Sequence, residues 1–209
     1  MKIAFLSNNS EVAKEALKIL EFHHADIVFK NSGERVVRFP EYDLGISFLY
    51  TYKVLPDQLD KPWINFHPAP LPEYGGRNVA YHAIMNNSKV FGGTMHYMNE
   101  EFDCGEIIDC QRFPIEDDDT AGDLVRKSYH VLVGLLEKYA LPHRLQELLS
   151  NGELPKSTEQ INTRYYKQEV LDDILCLTEK QKKKVRALTV SPKHYAKIRI
   201  NNKLYKIIP

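Results

Sequence analysis

The sequence predicts an α/β protein built on a wound, mostly parallel β-sheet. Short apolar runs alternate with helical or polar segments through the first third of the chain, a spacing typical of parallel sheets. The 209 residues include 43% hydrophobic and 27% charged residues, which are values of a globular chain. This length indicates one domain, or one domain with a small appendage.

Four strands and one helix are predicted before Pro68. Ser10 is a favourable N-cap for the helix, whose apolar residues recur at helical spacing as far as about Phe22. The fourth apolar run stops at His67 because proline cannot continue a strand. The predicted strands cover residues 2–7, 26–29, 43–50 and 63–67.

The rest of the chain divides at residue 150. A loop rich in proline and glycine (68–76) precedes a predicted helix at 78–86, strands at 91–98 and 106–115, and a long helix ending near Tyr139. The acidic cluster 116–120 is interpreted as the cap of that helix rather than a cation site. We expect a main domain at 1–150 and a small C-terminal extension at 151–209, which ends in a β-hairpin around Asn201 and Asn202. The basic run 180–184 is interpreted as a solvated helix face.

Composition and missing motifs exclude several classes of function. Lys and Arg total 28 and Asp and Glu total 28, so the formal net charge is zero. The net charge therefore does not favour binding to nucleic acid or to an anionic membrane. The three cysteines lack a CxxC pairing, and no glycine-rich dinucleotide or phosphate loop is present. We therefore expect no metal and no NAD or ATP dependence. No apolar stretch has the length of a signal peptide or membrane span, which favours a cytoplasmic protein.

Two polar side chains end the fourth predicted strand. Asn65 and His67 alternate with Phe66, so both polar side chains face the same side of the strand. Active residues collect at the carboxyl ends of parallel strands. By themselves these residues leave two interpretations open: a functional pair, or a pair that only satisfies the loop backbone.

A second segment strengthens the functional interpretation. Asp103-Cys104-Gly105-Glu106-Ile107-Ile108, taken alone, is also what an ordinary hairpin contains. Together with Asn65-Phe66-His67-Pro68 and Leu71-Pro72-Glu73-Tyr74-Gly75-Gly76, it resembles the motifs of the folate-dependent formyltransferase family. The segment 91–96, with its Gly-x-Thr-x-His pattern, and the segment 185–188 are also similar to that family, so the resemblance covers the whole chain.

The resemblance implies a Rossmann-like formyltransferase fold and a catalytic trio of Asn65, His67 and Asp103. The implied reaction transfers a formyl group from 10-formyltetrahydrofolate, a co-substrate, to an amine. Asn65 and His67 would donate hydrogen bonds to the oxyanion, and Asp103 would accept the proton of the amine. No metal and no covalent enzyme intermediate are required.

The resemblance also implies which residues contact the two substrates. The family binds folate through the backbone of a segment that corresponds here to 48–56, although Tyr50 and Tyr52 on their own would more often serve in packing. The expected folate contacts are Tyr52, Lys53, Val54, Leu55, Leu71 and Asn99. The expected acceptor contacts are Tyr74, Arg77, Asn78 and Tyr165, the last also open to a packing role.

Within the family that the chain resembles, length and charge favour the sugar N-formyltransferase branch. The implied acceptor is a nucleotide-linked amino sugar of the 4-amino-dideoxy type. Such sugars belong to surface-polysaccharide or pseudaminic-acid-like pathways. The tRNA-formylating branch carries a further basic domain, and the ribonucleotide branch has a glycine-rich loop where this chain has Ser7-Asn8-Asn9-Ser10. Three alternatives stay open: an aminoacyl or ribonucleotide acceptor, a formyltetrahydrofolate hydrolase, and a non-catalytic folate-binding protein. A homodimer is left open for the assembly.

Overall fold

The computed structural model describes residues 1–24, 26–36, 38–54, 58–150, 165–166, 179–190, 197–200 and 203–206. Its strands are β1 (Ile3–Ser7), β2 (Ile27–Ser32), β3 (Leu44–Phe48), β4 (Trp63–His67), β5 (Gly75–Gly76), β6 (Val90–Tyr97), β7 (Ile107–Pro114), β8 (Tyr165–Tyr166), β9 (Lys197–Ile200) and β10 (Lys203–Lys206). Its helices are α1 (Glu11–His23), α2 (Val79–Met85), α3 (Ala121–Tyr139), α4 (Pro142–Ser150) and α5 (Glu179–Leu188). None of the helices within these residues is long and apolar enough to cross a membrane.

The central sheet has the strand order β2-β1-β3-β4-β6-β7. The strands β1 to β4 are parallel, whereas β6 runs antiparallel to both β4 and β7. This arrangement confirms the predicted α/β fold with a mostly parallel sheet. The chain leaves β1 for β2 on one side and returns to β3 on the other, so the strand order reverses between β1 and β3. In open α/β sheets, ligands bind in the crevice at this reversal, beside the carboxyl ends of the strands.

Alternate residues of the strands form the cores on the two faces of the sheet. Ile3 and Phe5 pack in one cluster, which α1, α3 and α4 cover, while Ala4 and Leu6 pack in another cluster with Trp63. Burying the apolar side chains on both faces supplies the main driving force for the fold. The sequence did not predict α4, which directly precedes the expected domain boundary at 150.

The two longest helices begin at capping residues. The Ser10 hydroxyl accepts a hydrogen bond from the Ala13 amide, as predicted for α1. At α3, Thr120 and Asp123 form a capping box in which each side chain accepts from the backbone of the other. The buried Asp119 carboxylate instead pairs with the Lys127 ammonium at 2.7 Å. The acidic cluster thus contributes a cap and an ion pair, and no group of side chains among the described residues is placed to hold a metal ion.

The C-terminal part of the chain contributes to the main core. Val185 and Ala187 of α5 are buried, and Ala187 packs with residues of α2 and α3. Lys183 reaches back to donate to the Met85 carbonyl oxygen at 3.1 Å, so one lysine of the basic run contacts the body of the protein. The strands β9 and β10 pair antiparallel, as the predicted hairpin requires, while residues 201–202 and 207–209 lie outside the described residues. The division at 150 stays a prediction.

Candidate active site

Strand alternation places Asn65 and His67 together at the carboxyl end of β4. Phe66 between them is 1% exposed and packs against Phe48, with ring centroids 5.3 Å apart. Asn65 and His67 therefore face the other way, and both line a cleft at the carboxyl end of β4. The predicted common face of the two side chains is present.

The loop after β4 is fastened to β6 by one buried hydroxyl. Thr94, the cross-strand neighbour of His67, donates to the Ala69 carbonyl oxygen at 2.7 Å and accepts from the Leu71 amide at 3.0 Å. Thr94 has no exposed surface, so these hydrogen bonds are shielded from water. They hold the proline-rich loop, and with it His67, in a fixed position.

Asp103 joins the site through the turn between β6 and β7. Its Oδ2 accepts from the Gly76 amide at 2.8 Å, and its Oδ1 lies 3.4 Å from His67 Nδ1. The backbone of Asp103 has a φ of +56°, which an aspartate tolerates better than most residues. A Cβ on Gly105 would lie 1.7 Å from the Tyr97 carbonyl oxygen, so the turn can close only with glycine at this position. Thus the two motifs come into direct contact.

His96 is a residue of this site whose role the sequence pattern alone did not predict. It is the cross-strand partner of Asn65, and its Nε2 lies 3.0 Å from Asn65 Nδ2 and 3.8 Å from Asp103 Oδ1. Its Nδ1 lies 2.7 Å from the Tyr97 carbonyl oxygen, which can only accept. Burial lowers the pKa of His96 to about 4, although the Asp103 carboxylate acts in the opposite direction.

At neutral pH these contacts fix the tautomer of His96. The proton sits on Nδ1, and Nε2 accepts a hydrogen bond from the Asn65 amide nitrogen. Asn65 is therefore held in one orientation by a side chain from the neighbouring strand. In the sequence, Thr94 and His96 are two residues apart, so their side chains face the same side of β6. Only the antiparallel register with β4 shows that this side faces His67 and Asn65.

One nitrogen of the His67 ring is hydrogen-bonded to the loop that follows β4. Its Nε2 lies 2.8 Å from the Tyr74 carbonyl oxygen, to which it must donate. The neutral ring is then the Nε2–H tautomer, and Nδ1 faces Asp103. Nδ1 can accept a proton there, and the protonated ring would present an N–H toward the carboxylate.

The cleft beside these residues has a volume of about 360 Å³, within the usual range of small-molecule sites. Asn8 after β1 and Ser47 of β3 also line it, which places the cleft at the reversal of strand order. Leu49 adopts a φ of +57° directly after β3, a strained conformation for a leucine. That turn leads residues 50–54 along the wall of the cleft.

Four of the six residues expected to contact folate line the cleft. Tyr52 and Lys53 are exposed lining residues, Val54 is a buried one, and Asn99 also lines the cleft. Tyr50, for which packing was the other interpretation, also lines the cleft, and its hydroxyl donates to the Glu34 carbonyl oxygen at 2.9 Å. Leu71 is 1% exposed and is not among the residues that line the cleft. Leu55 lies outside the residues that the structure describes.

The residues expected to contact the acceptor are dispersed. Arg77 is exposed and lines the cleft, whereas Asn78 lines a neighbouring cavity. Tyr74 is 8% exposed and its ring packs 6.0 Å from that of Phe91, so its side chain lies in the core, and its contact with an acceptor stays a prediction. The backbone of Tyr165 pairs with Gly75 in the short parallel sheet of β5 and β8, and its side chain lies outside the description.

Comparison with known proteins agrees with this geometry. Residues 47–137, which include Asn65, His67 and Asp103, match the family model described as formyl transferase. This part of the chain is similar to the formyl transferase family. The family resemblance predicted from the motifs is therefore confirmed.

The formyl transferase segment has curated relatives of greater length. A methionyl-tRNA formyltransferase from Halothermothrix orenii is 30% identical over 134 residues, a match that covers 64% of this chain and 34% of that protein. The methionyl-tRNA formyltransferase of Lactobacillus gasseri is 26% identical over 174 residues, which cover 78% of this chain and 49% of that protein. The chain thus spans less than half the length of either relative.

Solved structures of formyltransferases share the fold over almost the full chain. A sugar N-formyltransferase from a Shewanella species superimposes with a TM-score of 0.76 at 18% identity and covers 99% of this chain and 96% of that chain. An N-formyltransferase from Helicobacter canadensis was solved with folinic acid and dTDP-3-aminofucose. It superimposes with a TM-score of 0.71 at 19% identity, and the match covers 97% of this chain and 85% of that chain. At these identities the likeness establishes the fold.

Proposed function

We propose that this protein transfers a formyl group from 10-formyltetrahydrofolate to the amine of a nucleotide-linked amino sugar. One observation carries the proposal: Asn65, His67 and Asp103 converge on one cleft of ligand size, and the contacts with His96 and Gly76 orient them. Formyl transfer needs an oriented donor for the developing oxyanion and an acceptor for the proton of the amine. This site contains both.

Each residue of the trio would have a distinct task. The Asn65 amide, oriented by His96, donates to the carbonyl oxygen of the formyl group as negative charge develops there. Asp103 accepts the proton that the attacking amine loses. His67 Nδ1 lies 3.4 Å from Asp103 and can share that proton. When the bond between the formyl carbon and N10 breaks, the pair returns the proton to N10, so tetrahydrofolate leaves as a neutral amine and Asp103 is free to accept again.

The wall of the cleft suits the pterin end of a folate. A pterin needs amide-like donors and acceptors together with apolar surface, and the segment 49–54 offers backbone groups beside Leu49 and Val54. Lys53 at the mouth supplies a positive charge, which complements the carboxylates of the folate tail. The neighbour from Helicobacter canadensis was solved with a folate, which supports this use of the cleft.

The choice of acceptor is supported by the structural neighbours. The Shewanella protein is a sugar N-formyltransferase, and the Helicobacter canadensis protein was solved with dTDP-3-aminofucose. The curated relatives instead formylate methionyl-tRNA. An aminoacyl acceptor is therefore the alternative that the test must distinguish.

The deciding experiment is an acceptor screen with 10-formyltetrahydrofolate and UDP-, dTDP- and GDP-linked amino sugars. Mass spectrometry should detect the gain of one formyl group on an amino sugar. Methionyl-tRNA serves as the competing acceptor, and release of formate without any amine would indicate a hydrolase. Formylation of methionyl-tRNA alone would refute the sugar acceptor, and formate release alone would refute the transferase.

Substitution of Asp103 tests the mechanism in the same assay. Asp103→Asn removes the proton acceptor but keeps the shape of the side chain, so kcat should fall by about 10²–10⁴. The affinity for a stable folate analogue should change little. Asp118→Asn is the matched control because Asp118 is exposed in a turn away from the cleft. Full activity in Asp103→Asn would contradict the assigned role.

A further inference from the structure

A second cavity, of about 330 Å³, adjoins the cleft that contains Asn65, His67 and Asp103. Pro68, Gly76 and Tyr129 line both cavities, so the two spaces share this wall. The volume lies within the range of small-molecule sites. A ligand in the second cavity would therefore lie next to a ligand in the cleft.

The walls of the second cavity are mostly apolar and are held together by a close backbone contact. Val79 of α2, Ala121 and Val125 of α3, and Leu188 of α5 contribute apolar surface. The Gly122 amide donates to the Thr189 carbonyl oxygen at 3.1 Å. A Cβ on Gly122 would lie 2.0 Å from the Val190 carbonyl oxygen, so only glycine allows the segment after α5 to approach α3 this closely. The cavity is thus part of the packed fold.

Tyr129 of α3 stands at the junction of the two spaces. Its side chain is half-buried, and burial raises the pKa of its hydroxyl. The hydroxyl therefore stays protonated at physiological pH and can donate a hydrogen bond. Asn78, an expected acceptor contact, lines the second cavity as well and adds a polar side chain at its edge.

We propose that the second cavity binds the apolar side of the acceptor sugar, with Tyr129 positioning the sugar so that its amine points into the cleft. This inference rests on the proposed function. A transfer between two substrates requires that both be held side by side, with the reacting atoms in contact. The cleft contains Asn65, His67 and Asp103 beside the proposed folate site, and the adjoining cavity provides a binding site for the acceptor sugar.

The chemistry of the walls sets a preference among acceptors. A methyl group of a deoxy sugar fits against Val79, Val125 and Leu188, whereas a hydroxymethyl group would lose its hydration there. An apolar pocket discriminates against an added hydroxyl by at most about 100-fold. We expect kcat/KM for a 6-deoxy amino sugar to exceed that for its 6-hydroxy counterpart by about 10- to 100-fold.

Filling the cavity tests the assignment. Val125→Phe places a larger side chain in the cavity, so the KM for the acceptor should rise by about tenfold or more and the preference for the deoxy sugar should shrink. The KM for 10-formyltetrahydrofolate should stay within about twofold, because the cleft itself is unaltered. The melting temperature of the variant reports whether the fold has survived the substitution.

Tyr129→Phe provides a second test with little effect on volume. Loss of its hydroxyl should raise the acceptor KM by about two- to tenfold, and because Tyr129 also lines the cleft, the folate KM should change by less than the acceptor KM. Tyr139→Phe is the matched control on the same helix, where the hydroxyl donates to Asp109 outside the cleft. Unchanged acceptor kinetics in both Val125→Phe and Tyr129→Phe, with an active wild type, would overturn this inference alone. A wild type that formylates no amino sugar would overturn the proposed function and the inference together.

Discussion

Substitution of His96 by glutamine should remove a large part of the acid sensitivity of this protein. His96 is 2% exposed, and its pKa is lowered from 6.5 to about 4, chiefly by burial. A shift of this size corresponds to about 3 kcal/mol of free energy between the two protonation states. Glutamine cannot titrate, yet its amide can accept from Asn65 and donate to a carbonyl oxygen.

The sign of the effect follows from proton binding. Above pH 6.5, His96 is neutral in both the folded and the unfolded chain, so the full stability is present. As the pH falls from 6.5 toward about 4, the unfolded chain binds a proton at His96 and the folded chain does not. The free energy of unfolding therefore decreases through this window, by about 3 kcal/mol for His96 alone.

Urea denaturation at a series of pH values measures this contribution directly. The wild type should lose about 3 kcal/mol more than His96→Gln between neutral pH and pH 4. His24, whose pKa burial also lowers, contributes equally to both proteins and cancels in the difference. His130→Gln is the control because His130 is exposed. An equally steep loss of stability in wild type and His96→Gln would refute the assignment of a buried neutral His96.

Three further predictions concern stability and can be checked by the melting temperature. Gly45→Ala should destabilise the fold by about 1–3 kcal/mol or more, because the added Cβ would lie 2.0 Å from the Trp63 ring. Gly134→Ala, where nothing lies within 4 Å of the added Cβ, should instead stabilise α3 by about 0.5–1 kcal/mol. Thr120→Ala should cost about 1 kcal/mol by removing the cap over Asp123, whereas Thr120→Ser should stay near the wild type. Equal melting temperatures for the two glycine variants, or for the two Thr120 variants, would contradict these assignments.

Local pattern was sufficient to predict the parallel strands and the common face of Asn65 and His67 on β4. Apolar runs and their two-residue alternation depend on neighbouring residues, so the placement of Asn65 and His67 opposite Phe66 could be predicted before the fold was known. The helix starts at Ser10 and Thr120 are local for the same reason. The resemblance of short motifs then identified Asp103 as their partner.

Contacts between distant residues could not be predicted from such patterns. The role of His96 depends on the antiparallel register that sets it beside Asn65, and the hydrogen bond from Gly76 to Asp103 joins residues 27 positions apart. The burial of Tyr74 against Phe91 likewise follows from how the loop packs, and its position in the chain just past Asn65 and His67 could not show it. Alternation tells which way a side chain points along its own strand, whereas strand order and packing determine what that side chain meets.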